Sequence, residues 1–130
     1  GALVKMLTPF NIGMGGKIGS GTQYMSWVAM DDVTGAIHHA LVTDSLKGPV
    51  NITAPYPVTN IEFTHTLGKV INRPTVIPMP AFAARLALGE MAKDLLLASA
   101  KVAPKKLSDS GYEFQYPELE DALRHALSVD

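Results

Sequence analysis

One segment near the start of the chain constrains the fold more than any other. Two glycines, Gly19 and Gly21, precede a run of aromatic and apolar residues over Gln23–Met30. Aromatic and β-branched residues favour extended structure, so this run predicts a strand. The run ends at Asp31 and Asp32, and we expect one of these carboxylates to cap the next helix by accepting bonds from its first free N–H groups. A turn, a strand and a helix in direct succession are typical of an α/β protein.

The rest of the chain continues this alternation of helices with short strands. Predicted helices cover Ala2–Phe10, Val33–Val42, a segment that begins at the capping box Thr59–Glu62, Ala81–Leu88, Lys93–Val102 and a last segment from Pro117. Predicted short strands are Val50–Thr53, Thr75–Pro78 and Tyr112–Gln115, and Pro104–Gly111 is predicted to be a loop. No linker or internal repeat divides the chain, so we expect one α/β lobe over residues 1–130.

Composition excludes several classes of function. The chain has 130 residues, no cysteine and a formal net charge of −1. The lack of cysteine excludes a disulfide framework, a thiolate metal site and a cysteine nucleophile, and it fits a cytoplasmic protein. The balanced charge predicts neither nucleic-acid binding nor attraction to an anionic membrane, and no apolar run approaches the roughly 20 residues of a membrane span. Charged residues make up 18% of the chain, against about 25% in typical domains, which fits either a well-packed small protein or a chain with an apolar face that a partner covers. The family resemblance described below favours the second explanation.

The glycine-rich segment Gly13–Gly21 lacks the spacing of a phosphate-binding loop. In the dinucleotide fingerprint a third glycine would stand at Ile18, and a P-loop would need serine or threonine at that same position, after Lys17. The segment also leads into a predicted strand, whereas both motifs lead into a helix. We interpret it as a turn that needs glycine at positive φ angles, which is compatible with a loop that contacts a substrate.

The titratable residues form no motif that is specific for catalysis or metal binding. His38 and His39 are adjacent on a predicted helix, so they point in different directions, and no two histidines have the i, i+4 spacing of a metal-binding pair. A Gly-x-Ser-x-Gly elbow is also absent. Asp31 and Asp32 could act as general acid and base or as ligands of a hard metal ion, but helix capping explains them more simply. The sequence therefore predicts no catalytic, cofactor-binding or metal-ligating residue in this chain.

Four segments, in order, resemble the substrate half of the extended short-chain dehydrogenase/reductase family. The motif Gly-Asp-Gly-x-Gln-x-Arg-Asp-aromatic-apolar-His-apolar-x-Asp of that family corresponds to Gly19–Asp32. Gly48–Pro55, Val58–Thr64 and Gly111–Leu123 resemble its next strand, the start of the following helix, and its closing strand and helix. Over nearly its whole length the chain is similar to the C-terminal portion of a subgroup of nucleoside-diphosphate-sugar-epimerase-like proteins, also named cell-division-inhibitor-like.

The resemblance implies that a Rossmann-type nucleotide-binding domain, absent here, precedes this chain, which would form the smaller α/β lobe on the substrate side. The fingerprint glycines and the Tyr-x-x-x-Lys pair of the family lie in that N-terminal part, and no Tyr-x-x-x-Lys pair occurs here. The resemblance thus implies NAD or NADP for the intact protein and no cofactor for this chain alone. Met25 stands where relatives that act on sugar nucleotides often place an arginine, and Ala29 where histidine or tyrosine is common, which argues against a sugar-nucleotide substrate.

We therefore expect the substrate-side lobe of an NAD(P)-dependent epimerase, dehydratase or reductase, inactive in isolation. By position, the residues expected to contact a small-molecule substrate are Phe10, Gln23, Ser26 and Trp27. The alternative is a self-contained module without enzymatic activity, which uses the glycine-rich segment and nearby apolar surface to bind a protein, a small ligand or another copy of itself. The first hypothesis requires a preceding nucleotide-binding domain of about 150 residues, and the second requires none.

Overall fold

A computed structural model describes residues 2–90 and 104–128. The elements that lie wholly within these ranges are α1 (Ala2–Asn11), β1 (Tyr24–Met25), α2 (Met30–Val42), β2 (Val58–Thr59), α3 (Asn60–Ile71), α4 (Ala81–Leu88), α5 (Lys105–Asp109) and α6 (Leu119–Ala126). Helices combined with a small sheet agree with the predicted α/β class. The helix predicted over Lys93–Val102 lies outside the described residues. In the part of the chain that is described, no helix is long and apolar enough to cross a membrane.

The chain divides into two compact units. The first unit consists of Gly1–Met25 and Val58–Ala100, and the second consists of Ser26–Pro57 and Lys101–Asp130. The boundaries between the units fall after Met25, Pro57 and Ala100, so both short strands belong to the first unit.

Helix α3 is the centre of the first unit, and its start is the predicted capping box. Thr59 Oγ1 accepts a bond from the Glu62 N–H at 3.2 Å, while Glu62 Oε1 accepts one from the Thr59 N–H at 3.2 Å. The helix ends at Ile71, and the residue that caps it, Asn72, adopts the left-handed conformation. The buried apolar side chains of α3 are Phe63, Leu67 and Val70.

The strand predicted over Gln23–Met30 is wrong for most of its length. β1 comprises only Tyr24 and Met25, which pair antiparallel with Thr59 and Val58 of β2. Toward Gln23 the ladder cannot continue because α3 begins directly after Thr59. Toward Ser26 the opposing residue in this register is Pro57, which has no N–H group to donate. At the other end, helix α2 begins at Met30 and takes the last residue of the predicted strand.

The strand predicted over Thr75–Pro78 is also absent, although its backbone is partly paired. Ile77 N–H donates to the carbonyl of Gly15 at 3.3 Å, Met79 N–H donates to Lys17 at 2.8 Å, and Gly19 N–H donates to Met79 at 2.9 Å. These bonds fasten the segment to the glycine-rich segment through one parallel bridge rather than a ladder. Prolines at 74 and 78 lack the N–H groups that a regular strand would use.

In the second unit, the predicted strands Val50–Thr53 and Tyr112–Gln115 are irregular, and the loop predicted over Pro104–Gly111 contains helix α5. A short helix forms there because Leu107 is fully buried and anchors it. Helix α6 begins at Leu119, two residues after Pro117. It buries Leu119, Ala122 and Leu123, whereas Ala126, which follows at the same helical spacing, is exposed.

Candidate functional site

The glycine-rich segment of the first unit is held by the first residue of α3. Asn60 is completely buried. Its Oδ1 accepts a bond from the Ile18 N–H at 2.7 Å, its Nδ2 lies 3.4 Å from the sulfur of Met25, and its backbone N–H donates to the carbonyl of Gln23 at 2.8 Å. One side chain therefore fixes both the segment and β1. The sequence analysis missed Asn60, and the available signal was an amide at the i−3 position to Phe63, on the buried face of the helix.

Three glycines of this segment confirm the predicted turn. Gly13, Gly19 and Gly21 have φ angles of 75°, 61° and 74°. L-residues rarely adopt this region, because the Cβ atom approaches the backbone. The glycine-rich segment can thus bend sharply at both ends, while its middle remains hydrogen-bonded to the extended stretch that ends at Met79.

Gly15 and Gly16 are glycines for a different reason, which is close packing. A Cβ atom at Gly15 would lie 2.7 Å from the ring of Phe10, and one at Gly16 would collide with the carbonyl oxygen of Ile77. Both residues are buried. The space that a side chain would fill at these positions is taken by the chain itself.

Two of the predicted substrate-contact residues belong to the first unit. Phe10 is only 5% exposed, and its ring packs beneath Gly15. Gln23 is half-buried, and its Nε2 donates to the carbonyl of Ile18 at 3.0 Å. Both side chains therefore contact the glycine-rich segment and contribute to its shape.

The other two predicted substrate-contact residues belong to the second unit. Ser26 is exposed, and Trp27 is half-buried. The indole Nε1 of Trp27 donates to the carbonyl of Tyr56 at 3.0 Å, and its backbone carbonyl accepts from the Ala54 N–H at 2.7 Å. The prediction that Trp27 lies in the middle of a strand is wrong, but its ring is anchored at one edge.

The prediction that Asp31 or Asp32 caps α2 is wrong. The residue before the helix is Ala29, and no side chain caps it. Asp32 instead lies in the first turn, fully buried, and its carboxylate accepts bonds from the Tyr112 hydroxyl at 2.7 Å and from two backbone N–H groups, of Gln115 at 2.8 Å and Tyr116 at 3.0 Å. These donors come from a segment about 80 residues later in the chain, which no local pattern identifies.

The Asp32 carboxylate also controls the chemistry of its tyrosine partner. Burial, the hydrogen bond to Asp32 and the negative charge of Asp32 together raise the pKa of Tyr112 to about 12. The hydroxyl therefore keeps its proton at neutral pH and acts as a hydrogen-bond donor rather than as a general base. This arrangement is a structural anchor for the segment around residue 115.

Asp31 has a separate partner on the surface of the same unit. Its Oδ2 lies 3.0 Å from Nε2 of His125, whose ring stacks on Tyr116 with centroids 4.4 Å apart. His39 contacts Ser110 Oγ at 3.0 Å, whereas His38 is exposed. Among the described residues, no group of three or more His, Asp or Glu side chains could hold a metal ion.

Comparison with known proteins gives the family. A family profile described as a domain of unknown function (DUF1731) matches residues 79–126. The epimerase family protein Mb2239 of Mycobacterium bovis is 41% identical over 126 residues, which are 97% of this chain and 42% of that protein. The human epimerase family protein SDR39U1 is 38% identical over 128 residues, which are 98% of this chain and 44% of that protein. The chain belongs to the epimerase family of extended short-chain dehydrogenases/reductases, as a C-terminal portion.

Solved structures of epimerase family proteins share the fold. The crystal structure of human SDR39U1 (isoform 2) with NADPH superposes on 96% of this chain and 42% of that chain, with 38% identity and a TM-score of 0.87. A nucleoside-diphosphate sugar epimerase from Corynebacterium glutamicum matches 97% of this chain and 22% of that chain, with 31% identity and a TM-score of 0.67. The predicted fold class, the substrate-side portion of a Rossmann-type reductase, is confirmed. The chain spans less than half of the length of these relatives.

Proposed function

We propose that this chain is the substrate-side lobe of an NAD(P)-dependent oxidoreductase of the epimerase and dehydratase type. The observation that carries the proposal is the similarity to human SDR39U1 with NADPH, which extends over 96% of this chain and only 42% of that protein chain. The remainder of such a protein is long enough for a nucleotide-binding domain. In this proposal the dinucleotide supplies the hydride chemistry, and the lobe binds and orients the substrate.

The proposed substrate contacts are those expected from the sequence. Ser26 offers an exposed hydroxyl, and Trp27 offers an indole ring whose orientation is held by its bond to Tyr56. Gln23 offers an amide next to the glycine-rich segment. Phe10 is buried beneath Gly15, so its proposed contribution is to maintain the shape of that segment next to the substrate.

The residue at position 25 favours a substrate other than a sugar nucleotide. Met25 is 8% exposed, and its sulfur faces the Asn60 amide. A buried thioether cannot form the bidentate, charge-assisted bonds that an arginine forms with a diphosphate. We therefore propose a small organic substrate, such as a carbonyl or hydroxyl compound that exchanges a hydride with the dinucleotide.

Exposed apolar side chains support a covering domain in the intact protein. Among the described residues of the first unit, the large apolar side chains that are at least half exposed are Ile12, Met14, Val76, Phe82 and Leu86. Those in the second unit are Met30, Ile37, Leu41, Val42 and Tyr56. Exposed apolar surface of this kind is characteristic of a protein interface. We propose that the nucleotide-binding domain covers part of this apolar surface in the intact protein. The isolated chain, which lacks that domain, should then associate with itself.

Calorimetric titration with NADPH tests the proposal. We expect saturable binding when the chain is joined to its preceding domain and no binding when the chain is alone. One-to-one binding by the isolated chain, or no binding by the joined protein, would contradict the proposal.

A second measurement tests the substrate contacts in the joined protein. NADPH oxidation is followed with a panel of small carbonyl compounds. Trp27→Ala should lower kcat/KM with the preferred compound and leave the affinity for NADPH unchanged. The matched control is Tyr56→Phe, because the backbone carbonyl that holds Trp27 is retained. Equal kcat/KM for Trp27→Ala and the parent protein would remove Trp27 from the substrate site.

A further inference from the structure

A surface trough of the first unit takes no part in the proposed substrate site. It lies between α3 and the extended segment Arg73–Pro78 and consists of two adjoining cavities, of about 340 and 430 Å³, that share His65 and Thr75. None of the four predicted substrate-contact residues lines it. The helix contributes one continuous face to the trough, because its lining residues recur at intervals of three and four: Ile61, Thr64, His65, Gly68, Lys69 and Asn72.

The backbone fixes the width of the trough. The chain reverses direction at Asn72, which has a φ angle of 56°, and the Arg73 N–H then donates to the carbonyl of Gly68 at 2.9 Å. A Cβ atom at Gly68 would collide with the Thr75 side chain, so glycine is what allows the segment to pass so close to the helix. The two walls are therefore held together by the backbone and by packing rather than by flexible side chains.

The two cavities differ in chemistry. The first has apolar walls formed by Ile61, Val76 and Pro78, with Lys17 beside them. The second is lined by Lys69 and Arg73 together with polar groups. The lining of each cavity includes cations and no aspartate or glutamate, although the chain as a whole has a net charge of −1.

The Arg73 side chain indicates that the second cavity can receive an anion. Its guanidinium is oriented by bonds from Nε to the carbonyl of Asn11 and from Nη1 to the carbonyl of Asn72, both at 3.0 Å. These two bonds use two of its five N–H donors, which leaves three donors that they do not engage.

We propose that this trough binds a small organic oxyanion, with an apolar or aromatic body in the first cavity and a phosphate or carboxylate group in the second. Arg73 contacts the oxyanion, because a guanidinium presents parallel N–H donors to a tetrahedral or planar anion. Ile61 and Val76 contact the apolar body. This site is independent of the nicotinamide dinucleotide, so its test does not depend on the proposed function.

Nuclear magnetic resonance of the histidine rings provides the test. Phenyl phosphate and benzoate are titrated separately into the chain at constant pH. Inorganic phosphate, which lacks the ring, and phenol, which lacks the anionic group, are titrated in the same way and are called the half-ligands. Of the four histidines, only His65 lines the trough, whereas His38, His39 and His125 belong to the second unit and serve as internal controls. We expect a saturable shift of the His65 signals alone, with tighter binding of phenyl phosphate or benzoate than of either half-ligand. The stronger of the two complete ligands identifies the oxyanion.

Substitutions localise the binding. Arg73→Gln should weaken binding of the preferred complete ligand about three- to tenfold, as expected for the loss of one exposed charge contact. Val76→Ala should weaken binding of that ligand and leave the binding of inorganic phosphate unchanged, because Val76 lines only the first cavity. The control is Lys105→Gln, an exposed lysine of the second unit that pairs with Asp109. Val76→Ala keeps the test valid if Arg73→Gln fails to fold, because Val76 is 79% exposed. Equal affinity in all three variants, unselective shifts of all four histidines, or no tighter binding than the half-ligands would overturn the proposal.

Discussion

Replacement of Asp32 by asparagine tests how the second unit holds its C-terminal segment. The buried carboxylate accepts three bonds, from the Tyr112 hydroxyl at 2.7 Å, the Gln115 N–H at 2.8 Å and the Tyr116 N–H at 3.0 Å. An asparagine can keep its oxygen toward Tyr112 and Gln115, which share one carboxylate oxygen. Its NH₂ group then faces the Tyr116 N–H, so two donors meet and one of the three bonds cannot form.

The expected cost follows from these contacts. A hydrogen bond to a charged group contributes about 1.5–3 kcal/mol, and a buried donor without a partner costs about 1–3 kcal/mol. One bond is lost, and the other two become weaker because the acceptor loses its charge. We expect Asp32→Asn to lower the free energy of unfolding by about 3 kcal/mol, a large part of the ~5–15 kcal/mol that is typical of a natural domain.

Urea unfolding, monitored by tryptophan fluorescence, measures the loss of stability in the unit that contains Asp32. Trp27 is the one tryptophan of the chain and belongs to the same unit as Asp32. The matched control is Asp31→Asn, which removes only the surface pair with His125 and should change stability by less than about 1 kcal/mol. If Asp32→Asn were as stable as the Asp31→Asn control at an unchanged m value, the anchoring role of Asp32 would be refuted.

Three further predictions concern individual residues. The pKa of Tyr112 is raised from 10.0 to about 12, so the folded state holds this proton more tightly than the unfolded state; its contribution to stability is complete below pH 10 and is lost as the pH rises through about 12. Absorbance titration should show this late transition, and Tyr112→Phe should abolish it; a transition that survives the substitution belongs to another tyrosine. Thr59→Ala should lower stability by about 1 kcal/mol in urea unfolding because it removes a helix cap, and Thr59→Ser should restore most of the loss; the same loss in both variants would contradict a role for the hydroxyl. Gly16→Ala should cost more than about 2 kcal/mol in the same assay because its Cβ collides with the carbonyl of Ile77. Gly89→Ala, at a φ of 60° in open space, should cost only about 1 kcal/mol, so an equal cost at both positions would argue against the collision.

The parts of the fold that the sequence predicted well are those in which short-range patterns suffice. The capping box at Thr59 and Glu62 needs only residues three apart, and the structure contains both of its bonds. In α6 the helical spacing places Leu119, Ala122, Leu123 and Ala126 on one face, and the first three of these residues are buried. Ala81–Leu88 is helical as predicted, up to Gly89. The start of α3 and the extent of α4 are thus encoded locally in this chain.

The predicted strands failed because a strand requires a partner at the right place. The aromatic and apolar run from Gln23 has strand composition, yet its partner strand contains only Val58 and Thr59, with Pro57 directly before it and helix α3 directly after it. At Gln115 and Tyr116, backbone groups that a strand would have used bond to the carboxylate of Asp32 instead. Composition measures the preference of a segment for extended structure, but not the availability of neighbouring backbone groups.

The features of the candidate sites show the same difference between short-range patterns and long-range contacts. The glycine turns, the family resemblance and the absence of a Tyr-x-x-x-Lys pair are properties of residues close together in sequence, and the sequence was enough to identify them. The roles of Asn60 and Asp32 depend on bonds between residues 42 and 84 positions apart. The first cavity of the trough beside α3 likewise combines Lys17 with residues of α3 and of the segment after it. In the sequence, a polar side chain such as that of Asp32 resembles a helix cap at the surface. In the folded protein it can be a buried anchor, because distant N–H groups supply the hydrogen-bond partners that a buried polar group requires. Folding in three dimensions sets those partners, and local patterns do not contain them.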